Sequence, residues 1–153
     1  MKSLELRIPP VMVTFLFAGL MWLVAQWTPP YSVPPPLQAL TALLFLLAGA
    51  IVGLAGVANF RKAKTTVNPL QPEKSSSLVV GGVYRFSRNP MYLALLMVLF
   101  AWGIYLSNPY AMLTAWMFIL YINRFQIIPE ERAMEKRFGA DFQRYRQQVR
   151  RWI

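Results

Sequence analysis

Two stretches of this chain carry no charged residue: Ile8 through Phe60, and Asn89 through Asn123. In a soluble domain apolar residues are interleaved with polar ones, so charges are not segregated on this scale. A helix needs about 20 apolar residues to cross the hydrocarbon layer of a bilayer, and the two stretches have room for four. With 56% of its 153 residues hydrophobic, the chain is expected to be an all-α integral membrane protein.

Proline divides the spans. The first is expected over about residues 8–27 and the second over 37–60, separated by Thr28-Pro29-Pro30 and Pro34-Pro35-Pro36, which cannot continue a helix. The third covers about 90–106 and opens with Pro90 at a tolerated first-turn position. After Ser107-Asn108-Pro109 the fourth covers about 110–128, so the last two spans form a hairpin with a short outer turn. A loop over 61–89 and a tail over 129–153 complete a single domain, residues 1–153. In the tail Met134, Phe138, Phe142, Tyr145, Val149 and Trp152 recur every three or four residues, with Lys136, Arg137, Arg144, Arg146, Arg150 and Arg151 elsewhere. That is the pattern of an amphipathic helix, with Gly139 weakening its middle. Gly49 and Gly53 form a GxxxG in the second span, read as packing within one bundle in preference to dimerisation.

The net charge of +10 is confined to the residues before Ile8, the loop from Arg61 to Arg88 and the stretch from Arg124 onward. The positive-inside rule then puts both termini and the central loop in the cytoplasm. The expected location is a prokaryotic inner membrane, with the active site facing the cytoplasm. Attraction to anionic headgroups explains the basic balance better than nucleic-acid binding does. Lys2 and Arg7 resemble the start of a signal peptide. The apolar run is too long for one, however, and Val24-Ala25-Gln26-Trp27 lacks a small-x-small cleavage pattern, so a retained helix is expected. Cysteine and histidine are absent, which excludes disulfides, thiolate nucleophiles, imidazole bases and ordinary zinc or haem ligation.

The chemistry-bearing residues cluster by topology. Arg88-Asn89-Pro90-Met91-Tyr92 stands at the mouth of the third span and Pro129-Glu130-Glu131-Arg132 at the exit of the fourth. Each has a structural reading. Proline followed by acids is a favourable helix start, and Arg88 and Arg124 could snorkel to headgroups. Gathered at one boundary, ionisable groups are functional candidates. Gly81-Gly82 lets backbone amides approach a ligand closely, and Tyr84 supplies a ring; no strand-GxGxxG-helix context supports a Rossmann site. Opposite charges beside aromatic rings suit a zwitterionic, partly apolar ligand such as S-adenosylmethionine. Arg or amide donors would take its carboxylate, Glu its ammonium or ribose, and aromatic faces its adenine and sulfonium. Methyl transfer needs no metal, and positioning alone supplies much of its acceleration.

The run Leu78-Val79-x-x-Gly82-Val83-Tyr84-x-x-x-Arg88-Asn89-Pro90-Met91-Tyr92 is followed by Asn123-Arg124-Phe125 and Pro129-Glu130-Glu131-Arg132. Then comes Phe138-Gly139-x-x-Phe142-x-x-Tyr145-x-x-x-Val149-Arg150-Arg151. From about Thr65 onward this resembles the isoprenylcysteine carboxyl methyltransferase and phospholipid methyltransferase superfamily of integral membrane enzymes. The resemblance implies that S-adenosylmethionine contacts Gln71, Ser76, Ser77, Leu78, Val79, Tyr84, Asn89, Pro90, Met91 and Tyr92, with Arg88 supporting that cradle. Glu130, with Arg124 nearby, would face the methyl acceptor, and Glu131 would bind cofactor or hold the helix. The acceptor would be a lipophilic small molecule or lipid entering from the bilayer, with membrane lipids as neighbours and no obligate protein partner. Two positions depart from the pattern. Asn89 stands where the family has histidine, so no proton can be carried there, and Gln126 stands where an arginine is found closer to the acidic pair. Two other classes are weighed against this one. One is a membrane reductase of related fold using NADPH, for which the chain has few extra arginines to hold a 2′-phosphate. The other is a non-catalytic scaffold, which would tolerate loss of Arg88 and Glu130.

Overall fold

The computed structural model describes residues 5–64 and 75–153, and every regular element among them is helical. Helix α1 spans Pro10–Trp27, α2 Pro35–Lys62, α3 Pro90–Tyr105, α4 Pro109–Ile122, α5 Ile128–Phe138 and α6 Ala140–Gln148. A 3-10 turn lies at Gly82–Arg85 and a π-helical turn at Asn123–Ile127. Three continuous helical stretches are long and apolar enough to cross a membrane: Pro10–Trp27, Pro35–Lys62 and Pro109–Phe138. The 16-residue α3 is apolar but shorter, and α3 and α4 form the expected hairpin.

Each of α1 to α4 has proline in its first turn, where the missing N–H would have had no helical partner anyway. Opposite the site, the two outer turns are stapled together. Asn108 caps α4 by accepting the Ala111 N–H at 2.9 Å. Its amide also donates to the carbonyl and hydroxyl oxygens of Thr28, at 3.1 and 2.8 Å. The Tyr31 N–H donates to the Ser107 carbonyl at 2.8 Å.

The GxxxG is used inside the bundle. A Cβ added at Gly49 would meet the Ala94 carbonyl at 3.0 Å, and one at Gly53 would meet the Ala94 Cβ at 3.2 Å, so α2 lies directly on α3. Helix α1 packs on α4 and α3, with Phe17 edge-on to Phe118 at 5.7 Å and Trp102 donating to the Ala18 carbonyl at 3.1 Å. Val13, Met21, Leu96, Leu99, Ala115, Phe118 and Ile122 make the core. The outward faces remain apolar: Phe15 is 73% exposed, Leu54 71% and Leu120 68%. Contiguous exposure of that kind is unfavourable in water and natural against lipid.

Two expectations need correction. The helix does not begin anew at Pro129, because the chain passes from α4 through the π-turn into α5 without a break. Proline cannot return the N–H to the carbonyl four residues back, and the wider turn accommodates that loss. The tail is also not one helix. Gly139, at φ +50°, divides α5 from α6. Phe142 and Tyr145 then fold back onto Tyr84, Phe60 and Val79 as a second small core.

Candidate functional site

Where the tail folds back, it lines a partly open cavity of about 100 Å³. Phe60 comes from the end of α2, Ser75, Ser77, Leu78 and Val79 from the loop, and Tyr84 from the 3-10 turn. Arg88 and Asn89 lead into α3; Glu130, Glu131 and Met134 belong to α5, and Phe142 and Tyr145 to α6. Most of this wall is apolar or aromatic, with a few polar groups set into it, as in small-molecule sites generally.

The two adjacent glutamates have different surroundings. Glu131 accepts from Arg88 at 2.7 Å and, through its other oxygen, from Arg151 at 2.7 Å. Arg88 is further committed to backbone: its guanidinium donates to the carbonyls of Val149 and Arg146, and its own N–H donates to the Arg150 carbonyl at 3.0 Å. Glu130 has no ion-pair partner among the described residues; its carboxylate accepts from the Tyr92 hydroxyl. One residue along the helix therefore separates a neutralised carboxylate from one free to engage something else.

Asn89 donates to the Arg151 carbonyl at 2.9 Å, so its amide holds the segment after α6 in place. Tyr145 donates to the Tyr84 carbonyl at 2.7 Å, and Phe60 meets the Tyr84 ring edge-on at 5.3 Å. Burial pushes the phenols of Tyr84 and Tyr145 above their ordinary range. Two buried polar atoms on the cavity's lining residues have no partner among the described residues: the Tyr84 hydroxyl and the Arg88 Nε. A buried polar group without a partner is costly and calls for an explanation; a polar ligand in the cavity is one.

The residues singled out from sequence divide as follows. Ser77, Leu78, Val79, Tyr84, Arg88, Asn89, Glu130 and Glu131 line the cavity. Tyr92 reaches it through Glu130. The Ser76 hydroxyl donates to the Lys64 carbonyl at 3.1 Å. Pro90 and Met91 lie against Gly56 of α2. Arg124 is paired with Glu5 at 2.7 Å and is not part of the cavity lining. Gln71 lies outside the described residues. Arg151, Phe60 and Met134 were missed as site residues. Phe142 and Tyr145 were read as part of an apolar face and of the tail motif, without a site role. The signal for Arg151 was its place at the end of that same motif.

Over 63 residues the chain is 51% identical to an uncharacterized protein of Haemophilus influenzae, a match covering 41% of this chain and all of that protein. No solved structure matches. Residues 37–141 match the phospholipid methyltransferase family, whose general activity is methyl transfer and whose members are membrane-associated. The matched range runs from α2 through the loop, Arg88, Tyr92 and the two glutamates into α6, and on that basis the chain belongs to the phospholipid methyltransferase family.

Proposed function

We propose that this protein transfers a methyl group from S-adenosylmethionine to a lipophilic, membrane-borne acceptor, with the cofactor held in the cavity between the Ser75–Tyr84 region, α5 and α6. The observation that carries this reading is the contrast between Glu131, neutralised by Arg88 and Arg151, and Glu130, whose partner among the described residues is the Tyr92 hydroxyl, within one aromatic-walled cavity. The residues present suit such a cofactor. The rings of Phe60, Tyr84 and Phe142 and the Met134 side chain offer faces for a base and a sulfonium. The unpartnered Tyr84 hydroxyl and Arg88 Nε suit hydroxyl and carboxylate groups.

When bound, the cofactor supplies a methyl group on a positively charged sulfur, the leaving group of an in-line displacement. The protein's own residues bind and orient. Arg88, Glu131 and Arg151 fix the wall, Asn89 secures the segment after α6, and Glu130 faces the acceptor under control of Tyr92. Arg124 acts from outside the cavity. Asn89 carries no proton, so any acid–base step falls to Glu130. The positive-inside distribution supports both termini and this cavity lying on the cytoplasmic side, in an inner membrane, with the acceptor arriving from the bilayer.

Calorimetric titration of the detergent-purified protein with S-adenosylhomocysteine, with NADPH in parallel, tests the reading. Saturable binding of the former, weakened by Tyr84→Ala, supports it. Binding of NADPH alone transfers the cavity to reductase chemistry, and folded protein that binds neither refutes a cofactor role.

A further inference from the structure

We infer that the segment before α1, residues 5–8, is a positioning element that docks on the π-turn and sets the orientation of Glu130 and Glu131. This rests on the reading of their cavity as a cofactor site. The starting point is Pro129. Having no N–H, it leaves the Phe125 carbonyl without its regular helical donor, and that carbonyl accepts instead from the Leu6 N–H at 3.0 Å. The Ile128 N–H reaches back five residues to the Asn123 carbonyl, which is the widened turn itself.

Three further contacts converge on the same turn. Gln126, fully buried, donates from Nε2 to the Ile8 carbonyl at 2.7 Å. Glu5 takes Arg124 on one carboxylate oxygen at 2.7 Å and Arg132 on the other, bridging the π-turn and α5. Leu6 itself sits at φ +56°, a left-handed conformation that a branched side chain adopts only when its surroundings hold it there. Side chains and backbone of residues 5–8 thus grip both ends of the turn.

The geometry matters because a π-turn inserts one extra residue into the helical path. At 3.6 residues per turn, an insertion rotates everything downstream by about 100°. Glu130 and Glu131 are the first polar residues after it, so the turn decides which of them meets Tyr92 and which meets Arg88. Gln126, standing where the family pattern has an arginine, acts here through the backbone of the preceding segment and is not among the residues that line the cavity.

The test uses the full chain with Pro129→Ala, which restores the missing N–H, and with Glu5→Arg alone and combined with Arg124→Glu. Hydrogen exchange of the peptide containing Leu6, the thermal midpoint and S-adenosylhomocysteine affinity are measured for each. Pro129→Ala is expected to speed exchange at Leu6 and to weaken the nucleoside at least tenfold without lowering the thermal midpoint. Glu5→Arg is expected to do the same, and the charge-swapped double variant to recover most of both losses. Unchanged Leu6 exchange in Pro129→Ala overturns the inference, as does affinity lost only in step with the thermal midpoint. If the wild type binds no nucleoside, the functional reading fails, and the exchange data still decide whether the segment docks on the turn.

Discussion

Tyr92, in the first turn of α3, donates its hydroxyl to Glu130 of α5, 38 positions later. That contact joins the helical hairpin of α3 and α4 at its inner end, as the turn around Asn108 joins it at the outer end. It also leaves Glu130 with a neutral donor where Glu131 has two cations. Replacing Glu130 by Gln is expected to preserve this contact while removing the charge. Turnover should fall by about 100-fold or more, with S-adenosylhomocysteine affinity changed by less than about threefold. Equal loss of both, measured by methyl-transfer assay and calorimetry, would remove Glu130 from the acceptor side.

Arg88 ties together α3, Glu131 and the backbone of residues 146–150. Arg88→Ala should leave Glu131 with Arg151 alone and cost about 3–5 kcal/mol, the range for breaking a buried pair. Arg151→Ala, at a more exposed position, should cost about 1 kcal/mol or less. Arg88→Lys should not restore stability, because one ammonium cannot serve a carboxylate and two carbonyls in that planar arrangement. Chemical denaturation in detergent orders the three variants.

Gly49→Ala forces a methyl to within 3.0 Å of the Ala94 carbonyl and is expected to destabilise the bundle by about 1–3 kcal/mol. Gly19→Ala, where nothing lies within 4 Å, should be neutral or mildly stabilising. If both alanines behave alike, α2 and α3 are not in the contact described. Neither substitution should alter oligomeric state by size-exclusion chromatography.

The buried phenols set an alkaline limit. Their folded pKa values lie above the ordinary 10.0, so the proton is held more tightly folded than unfolded. That stability is complete below about pH 10 and declines as pH rises beyond it. Tyr84→Phe should flatten the decline and leave neutral-pH stability unchanged or slightly higher, because its hydroxyl has no partner among the described residues. A Tyr84→Phe profile that falls as steeply as the wild type would assign the alkaline limit elsewhere.

The apolar helices, their proline punctuation and the hairpin were legible because charge-free length and helix-breaking residues are local properties of the chain. Leu78, Val79, Tyr84, Arg88, Asn89 and the glutamate pair were legible as a motif, and the fold brings them to one cavity. What escaped the sequence was long-range or continuous. Pro129 followed by two acids reads as a helix start, and it is the Ile128 N–H reaching back to the Asn123 carbonyl, with Leu6 serving the Phe125 carbonyl, that shows a helix passing through a π-turn. Arg124 was expected near Glu130. Its actual partner, Glu5, lies 119 positions earlier, beyond the reach of any spacing argument. Arg151 looked like one more surface cation in a basic tail, and its role against Glu131 depends on Gly139 turning α6 back.

Arg88 and Asn89 hold the end of α6 and the stretch after it through the carbonyls of residues 146, 149, 150 and 151, and a carbonyl is the same whatever side chain is attached. That stretch is therefore held by its shape. Its side chains, apart from Val149 in the second core, Arg151 and Trp152, are open to drift as far as these bonds are concerned, provided no proline bends the path. Two sequences could differ at most of those positions and still build the same wall, so relatedness here is better judged by the Arg88-Asn89 pair than by the residues it grips.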